Sequence, residues 1–169
     1  MQYSQKYESP LGLMTMISDG EALIGLGFEG KEYLFSSLNQ PTDVAALPIF
    51  DATRHWLDMY FKGEIPDFTP KIKFFGSDFR QQVWNDLLLM PYGTTTTYGQ
   101  LAQQAAARMK KAKMSAQAIG GAVGHNPISI IVPCHRVVGT NGKLTGYASG
   151  LWRKEKLLNL EAKNLKLPF

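Results

Sequence analysis

Two clusters of turn formers, Ser9-Pro10-Leu11-Gly12 and Ser18-Asp19-Gly20, cut the head of the chain into three short runs, Tyr3 to Glu8, Leu13 to Ile17 and Ala22 to Phe28. Asp-Gly between two such runs is a strong hairpin signal, so this stretch is expected to form a small antiparallel sheet. The period then changes. Ile49, Ala52, Thr53, Trp56, Leu57 and Tyr60 recur at helical spacing, with Pro48 suited to a first turn and Gly63 to a stop. One amphipathic helix covering one face of the sheet follows. Residues 64–78, with Pro66, Pro70 and Gly76, carry no periodicity and read as the connection between two halves.

The second half is helical. Ser77 suits an N-cap, and Phe79, Val83, Trp84, Leu87 and Leu88 share a face that Pro91-Tyr92-Gly93 ends. Thr97-Tyr98-Gly99-Gln100 fits a capping box opening a helix through Leu101, Ala102, Ala105 and Ala106. A turn rich in cations (Arg108, Lys110, Lys111, Lys113) precedes Ser115, which can cap a helix from Ala116 to about Val123 before Asn126-Pro127 breaks it. Helix, turn, helix is the pattern. Trp152, Leu157, Leu158, Leu160 and Leu165 suggest a last helix with Glu161 near its end. The expected fold class is α+β, with a sheet-plus-helix domain over residues 1–78 and a mostly helical domain over 79–169.

With 169 residues, 44% of them apolar, the chain can bury a sizeable core. One cysteine permits no internal disulfide, and with His55, His125 and His135 it offers no zinc-like spacing, so no metal is expected. No run of 18 apolar residues and no secretory h-region is present, which points away from a membrane and toward the cytoplasm. Charge is divided unevenly: residues 1–78 hold 6 Lys/Arg against 11 Asp/Glu, and residues 79–169 hold 12 against 3, so −5 and +9 make up the net +4. An excess of that size suits a polyanion partner, because each neutralised phosphate releases counterions.

The sole cysteine follows an apolar, β-branched run, Ile128 to Val132, that reads as a buried strand ended by Pro133. Lone cysteines are commonly small buried hydrophobes. Here His135 and Arg136 come next, and a thiol attacks as a thiolate, whose pKa of about 8.5 falls beside a cation or imidazole. Gly120 and Gly121 inside the Ala116 helix each cost about 0.8–1.0 kcal/mol relative to alanine. Side chains shaved so far admit either a neighbouring helix or a nucleic-acid groove. Thr140-Asn141-Gly142-Lys143 carries an Asn-Gly hairpin signal. In the loop Leu144 to Gly150, Gly146 and Gly150 would let the backbone lie against a flat ligand.

Pro133-Cys134-His135-Arg136-Val137, with Asn126-Pro127 upstream, resembles the active-site signature of the O6-alkylguanine-DNA alkyltransferases, also called methylated-DNA-protein-cysteine methyltransferases. The resemblance runs from about Phe79 to about Glu161 and, more faintly, over the front half. It implies a winged-helix-like DNA-binding unit whose second helix enters the minor groove and swings a nucleotide out of the stack. It makes Cys134 the nucleophile, His135 its base through a water, Glu161 the residue that orients the imidazole, and Asn126 a backbone brace. Tyr98 would donate to a ring nitrogen of guanine, Tyr147 would pack on the base, the backbone near Ala148 and Ser149 would face O6, and Val137 would line the site. Ala116, Gly120, Gly121, Arg136, Lys110, Lys111 and Lys113 would meet DNA. Many members place an arginine in the duplex where this chain has Gln117, which fills space and hydrogen-bonds without charge. The implied partner is double-stranded DNA carrying O6-alkylguanine, less readily O4-alkylthymine. The protein would be a monomer, with no cofactor, in the cytoplasm or at the nucleoid or nuclear DNA.

A thioether formed on Cys134 is removed neither by water nor by a second thiol, and the chain has no resolving cysteine, so such a protein acts once. Two rival readings are a cysteine hydrolase, which usually draws Cys and His from separated positions, and a DNA-binding module without chemistry.

Overall fold

The structure is a computed structural model that describes residues 1–30 and 42–165. Contacts divide the chain into two units, one comprising Met1–Phe75 with Pro127–Ser129, the other Gly76–Asn126 with Ile130–Leu165.

In the first unit β1 (Gln2–Ser9), β2 (Gly12–Ser18) and β3 (Leu23–Phe28) form the antiparallel meander that the turn formers announce. Gly12 and Gly20 take φ of 129° and 109°, which a side chain would resist, and so the turns fall there. A short strand not anticipated, β4 (Thr42–Val44), joins β1 in parallel, giving the order β3-β2-β1-β4. The helix α1 (Pro48–Phe61) buries Ile49, Phe50, Thr53, Trp56, Leu57 and Tyr60 and packs on β1, β2 and β3. The six buried side chains of α1, with the buried Met14, Met16, Leu23 and Leu26 of the sheet, belong to this unit's core. Tyr7 adds a polar tie, its hydroxyl donating to Asp58 Oδ1 at 2.7 Å.

The run Ile128 to Val132 is not a strand. Only Ile128 pairs, in a single parallel bridge to Leu26, with the Leu26 N–H donating to Pro127 O at 2.9 Å and the Ser129 N–H to Leu26 O at 2.8 Å. Ile130 then takes φ of 70°, a left-handed conformation that ends any ladder and is rare for a β-branched residue. Burial explains the misreading: Ile128, Ile130, Ile131 and Val132 are all in the interior, so the composition is that of a buried strand while the backbone is a turn.

The second unit is built on α2 (Asp78–Leu88), α3 (Tyr98–Arg108), α4 (Ala116–Gly124) and α5 (Leu151–Leu165), with two-residue strands β5 (Thr96–Thr97) and β6 (Val137–Val138) paired in parallel. The expected caps are made. Ser77 Oγ accepts from the Arg80 N–H, Thr97 and Gln100 form the reciprocal box, and Ser115 Oγ accepts from the N–H groups of Gln117 and Ala118. α4 is held from beneath by Trp84, whose indole N–H donates to Ala122 O at 2.8 Å. Arg108, at the end of α3, pairs with the buried Asp86 of α2 at 2.6 Å. The Asn-Gly signal gives a turn but no hairpin: Asn141 and Gly142 take φ of 62° and 76°, and the partner of β6 is β5.

Candidate active site

Local sequence sets the cysteine. Pro133, with φ −83° and ψ 65°, centres an inverse γ-turn in which the Cys134 N–H donates to Val132 O at 2.8 Å. The chain then winds through one 3-10 turn, Cys134–Arg136, closed by the Val137 N–H on Cys134 O. Asn126 Nδ2 also donates to Val132 O, at 2.8 Å, and its side chain reaches the thiol.

His135 is wholly buried, and its Nε2 lies 2.5 Å from Glu161 Oε2. Arg136 lies beside them, its Nε donating to Glu161 Oε1 at 2.8 Å, its Nη2 to Oε2 at 3.2 Å and its Nη1 to Met90 O at 3.0 Å. The Gly93 N–H completes the shell on Oε1 at 2.9 Å. Burial alone would raise the Glu161 carboxyl, but bonds and charges from His135 and Arg136 hold it down to about 2. An ionised carboxylate only accepts, so His135 Nε2 carries the proton and Nδ1 of the neutral ring is its basic atom. Burial also holds the imidazole below its ordinary value against the pull of Glu161, which keeps it neutral.

Arg136 corrects an expectation. It is 7% exposed, committed to Glu161 and Met90, and set over the Tyr92 ring at 5.6 Å, so its guanidinium faces the interior instead of a phosphate. The thiol differs from expectation as well. Burial pushes Cys134 above its ordinary value, and Asn126, the charge of Lys154 and Tyr147 only partly offset that. The resting site therefore holds a thiol. Iodoacetamide should label Cys134 slowly at neutral pH and faster as pH rises beyond the usual thiol range; rapid labelling at pH 7 would contradict the thiol state.

The remaining residues sort by burial. Tyr98 is half-buried at the head of α3, its hydroxyl donating to Thr145 O at 3.3 Å, and Tyr147 and Ala148 are half-buried in the following loop. Ser149 and Val137 are buried, Ser149 O accepting from Arg153 Nη1 at 2.9 Å. Ala116 and Gln117 of α4 are exposed, Gly120 and Gly121 half-buried, and Lys110, Lys111 and Lys113 exposed. A Cβ added at Gly120 or Gly121 would meet nothing within 4 Å, so packing inside this unit is not what asks for glycine there.

Lys154 is the residue sequence reasoning missed. It is fully buried on α5, and with Leu157 and Glu161 it forms that helix's buried stripe, while Trp152 is 52% exposed. The 154–157–161 spacing of one helix face is the signal that could reveal it, although two of the three residues are charged. One cavity of about 500 Å³ lies among α3, Lys111 to Met114 and Ala116, and another of about 250 Å³ against Glu161; neither is lined by Cys134. Among the described residues no group of three or more His, Cys, Asp or Glu is placed to hold a metal ion, and no helix is long and apolar enough to cross a membrane.

The second unit thus sets two capped helices, α3 and α4, joined by a cation-bearing turn, together with a turn that carries Cys134 next to a buried His135–Glu161 pair. Residues 78–163 match the family described as 6-O-methylguanine DNA methyltransferase, DNA binding domain, and residues 2–74 match its ribonuclease-like domain. The methylated-DNA–protein-cysteine methyltransferase of Mycobacterium tuberculosis is 42% identical over 161 residues, 95% of this chain and 93% of that protein. A crystal structure of Mycobacterium tuberculosis O6-methylguanine methyltransferase aligns with a TM-score of 0.82 at 40% identity, over 99% of this chain and 97% of that one. The same organism's protein in complex with DNA aligns with a TM-score of 0.82 at 40% identity, over 96% and 94%. The chain belongs to the 6-O-methylguanine DNA methyltransferase family.

Proposed function

We propose that this protein repairs DNA by moving an alkyl group from O6-alkylguanine onto Cys134, once and irreversibly. The observation that carries the reading is the placement of the only thiol at the head of the turn that also holds His135 against Glu161. The thiol proton leaves through a water toward Nδ1 of His135, sulfur attacks the O-alkyl carbon, the S–C bond forms as the C–O6 bond breaks, and the electron pair passes to guanine. Tyr98, whose hydroxyl lies over Thr145, supplies a proton to a ring nitrogen of the leaving base. Tyr147 packs on that base, the backbone of Ala148 and Ser149 faces O6, and Val137 closes the floor. The geometry of Glu161, accepting from three groups, supports its part in orienting the imidazole.

The partner is duplex DNA. α4 lies along the minor groove with Ala116, Gly120 and Gly121 nearest the backbone and Gln117 filling the gap left by the flipped nucleotide, while Lys110, Lys111 and Lys113 meet phosphates. Residues 79–169 do the chemistry and residues 1–78 support them; the protein acts as a monomer in the cytoplasm or on nucleoid or nuclear DNA, with no cofactor. O6-alkylguanine is the main substrate and O4-alkylthymine the lesser.

Incubation with O6-benzylguanine followed by peptide mass spectrometry tests this reading. One benzyl group on the Cys134 peptide is expected; turnover without an adduct would favour a hydrolase. The glycines give a separate check. Gly120→Ala and Gly121→Ala should each stabilise the free protein by about 1 kcal/mol, since the new methyl meets open space and helix propensity improves. Thermal melts should rise while duplex affinity falls about tenfold or more for the pair. Unchanged affinity would remove α4 from the groove.

A further inference from the structure

The turn between α3 and α4 breaks a local rule to hold its shape. α3 closes with two bonds, the Lys110 N–H donating to Ala107 O at 3.2 Å and the Lys111 N–H to Ala106 O at 2.8 Å, and Lys110 takes φ of 56°. That left-handed position after a helix usually belongs to glycine, because a side chain resists it. Lysine nevertheless stands there. The chain folds back beside α3, so that Lys111 and Lys113 line a cavity of about 500 Å³ together with Ala102 and Ala106 of that helix and with Met114.

A second rule is broken one helix away. Asp86 of α2 is buried, and its Oδ1 meets Nη1 of Arg108, the last residue of α3, at 2.6 Å. Burial raises the Asp86 carboxyl above its ordinary value, and the pull of Arg108 and Gln82 offsets this only in part. A carboxylate disfavoured where it stands is a poor source of stability. What the pair does is fix the end of α3 two residues before the left-handed turn. Local rules broken at two neighbouring places mark a device retained for function.

The walls and edge of the cavity match one kind of ligand. Ala102 and Ala106 are buried and Met114 is half-buried, so the inner surface is apolar, whereas Lys111 and Lys113 are exposed. Among the described residues no acidic side chain lines it. A DNA strand has the same alternation, with deoxyribose carbons between anionic phosphates. Ala116, the first residue of α4, lines the cavity as well, which makes it continuous with the helix assigned to the minor groove. We propose that this groove seats the sugar-phosphate backbone of one DNA strand, and that Asp86 and Lys110 are positioning residues that hold it in shape before DNA arrives. The inference rests on the duplex-binding reading above. The turn is then a built channel whose contacts with the strand carry no sequence information.

The test uses full-length Ala107→Trp and Asp86→Asn, with folding checked by circular dichroism and thermal melting and duplex affinity measured between about 50 and 200 mM salt. Ala107 lines the groove and is exposed, so tryptophan fills the channel without changing any charge. Affinity should fall about tenfold, and the slope of log affinity against log salt should flatten by about 0.9 for each phosphate displaced. Asp86→Asn separates shape from charge by its sign. Removal of a negative charge strengthens binding if charge alone matters; loss of the anchor weakens it, and a fall of about threefold or more is expected. Both losses should be equal for duplexes with and without O6-methylguanine. Wild-type affinity and slope in folded Ala107→Trp would overturn the proposal, as would unchanged or tighter binding by folded Asp86→Asn. A loss confined to the duplex carrying the lesion would also overturn it, since that would tie the groove to the flipped base. Should one variant not fold, the other decides. A wild-type protein that binds no duplex would instead refute the DNA reading itself. If the Gly120→Ala, Gly121→Ala pair loses affinity while both groove variants keep it, the DNA reading stands and the groove is removed from it.

Discussion

Replacing Glu161 by glutamine is expected to slow alkyl transfer by about 10³-fold or more and to lower stability by about 3–5 kcal/mol. Both effects have one origin. The carboxylate accepts from His135 Nε2, from Nε and Nη2 of Arg136 and from the Gly93 N–H. An amide in its place turns an NH₂ group toward donors. The imidazole then gains by moving its proton to Nδ1, which removes the basic atom from the side that must take the thiol proton. The guanidinium of Arg136, 7% exposed, loses its counter-charge in the interior. The pH dependence has a definite sign. A carboxyl held down to about 2 against an ordinary 4.5 contributes stability that is complete above pH 4.5 and lost as pH falls toward 2. The gap between wild type and variant, read from urea melts, should therefore be full at pH 6 and shrink by pH 3. Burial of His135 as a neutral ring acts in the same direction, costing stability as pH falls below its ordinary 6.5. A gap independent of pH would mean that Glu161 is not ionised in the folded protein.

Cys134→Ser should abolish transfer while leaving DNA binding within about twofold of wild type. A serine hydroxyl at this position has no route to an alkoxide at neutral pH, since the neighbours that partly offset burial at the thiol, Asn126, Lys154 and Tyr147, act on a group many units more acidic. Folding should survive, because the turn is closed by backbone bonds, Cys134 N–H to Val132 O and Val137 N–H to Cys134 O. The exposed cations and α4 are untouched, so duplex affinity and its slope against salt should persist. A variant that still protects cells against alkylation would favour the binding-module reading over transfer.

Local signals were the readable ones. The caps at Ser77, Thr97 and Ser115 and the turns at Gly12 and Gly20 depend on a few adjacent residues, and each stands where the sequence indicates. Errors came where distant partners decide. Ile128 to Val132 has the composition of a strand, yet Val132 O is taken by Asn126 and by Cys134, and Ile130 turns the backbone left-handed. Arg136 beside a cysteine reads as a cation for DNA, and only Glu161, 25 residues onward, reveals its inward course. Lys154 is not legible from sequence, because a buried lysine breaks the rule by which helix faces are read and its carbonyl partners lie in a loop without regular structure. Within the cysteine turn, residue types were legible from the signature, while the raised thiol follows from burial that no motif encodes.

The central claim is that one sulfur accepts one alkyl group and keeps it. Duplex DNA containing O6-methylguanine, labelled in the methyl group and supplied in excess, should transfer label up to one methyl per protein molecule and then stop, with all of it on the Cys134 peptide after proteolysis. Continued release of label into solution, or label on any other residue, would contradict the account.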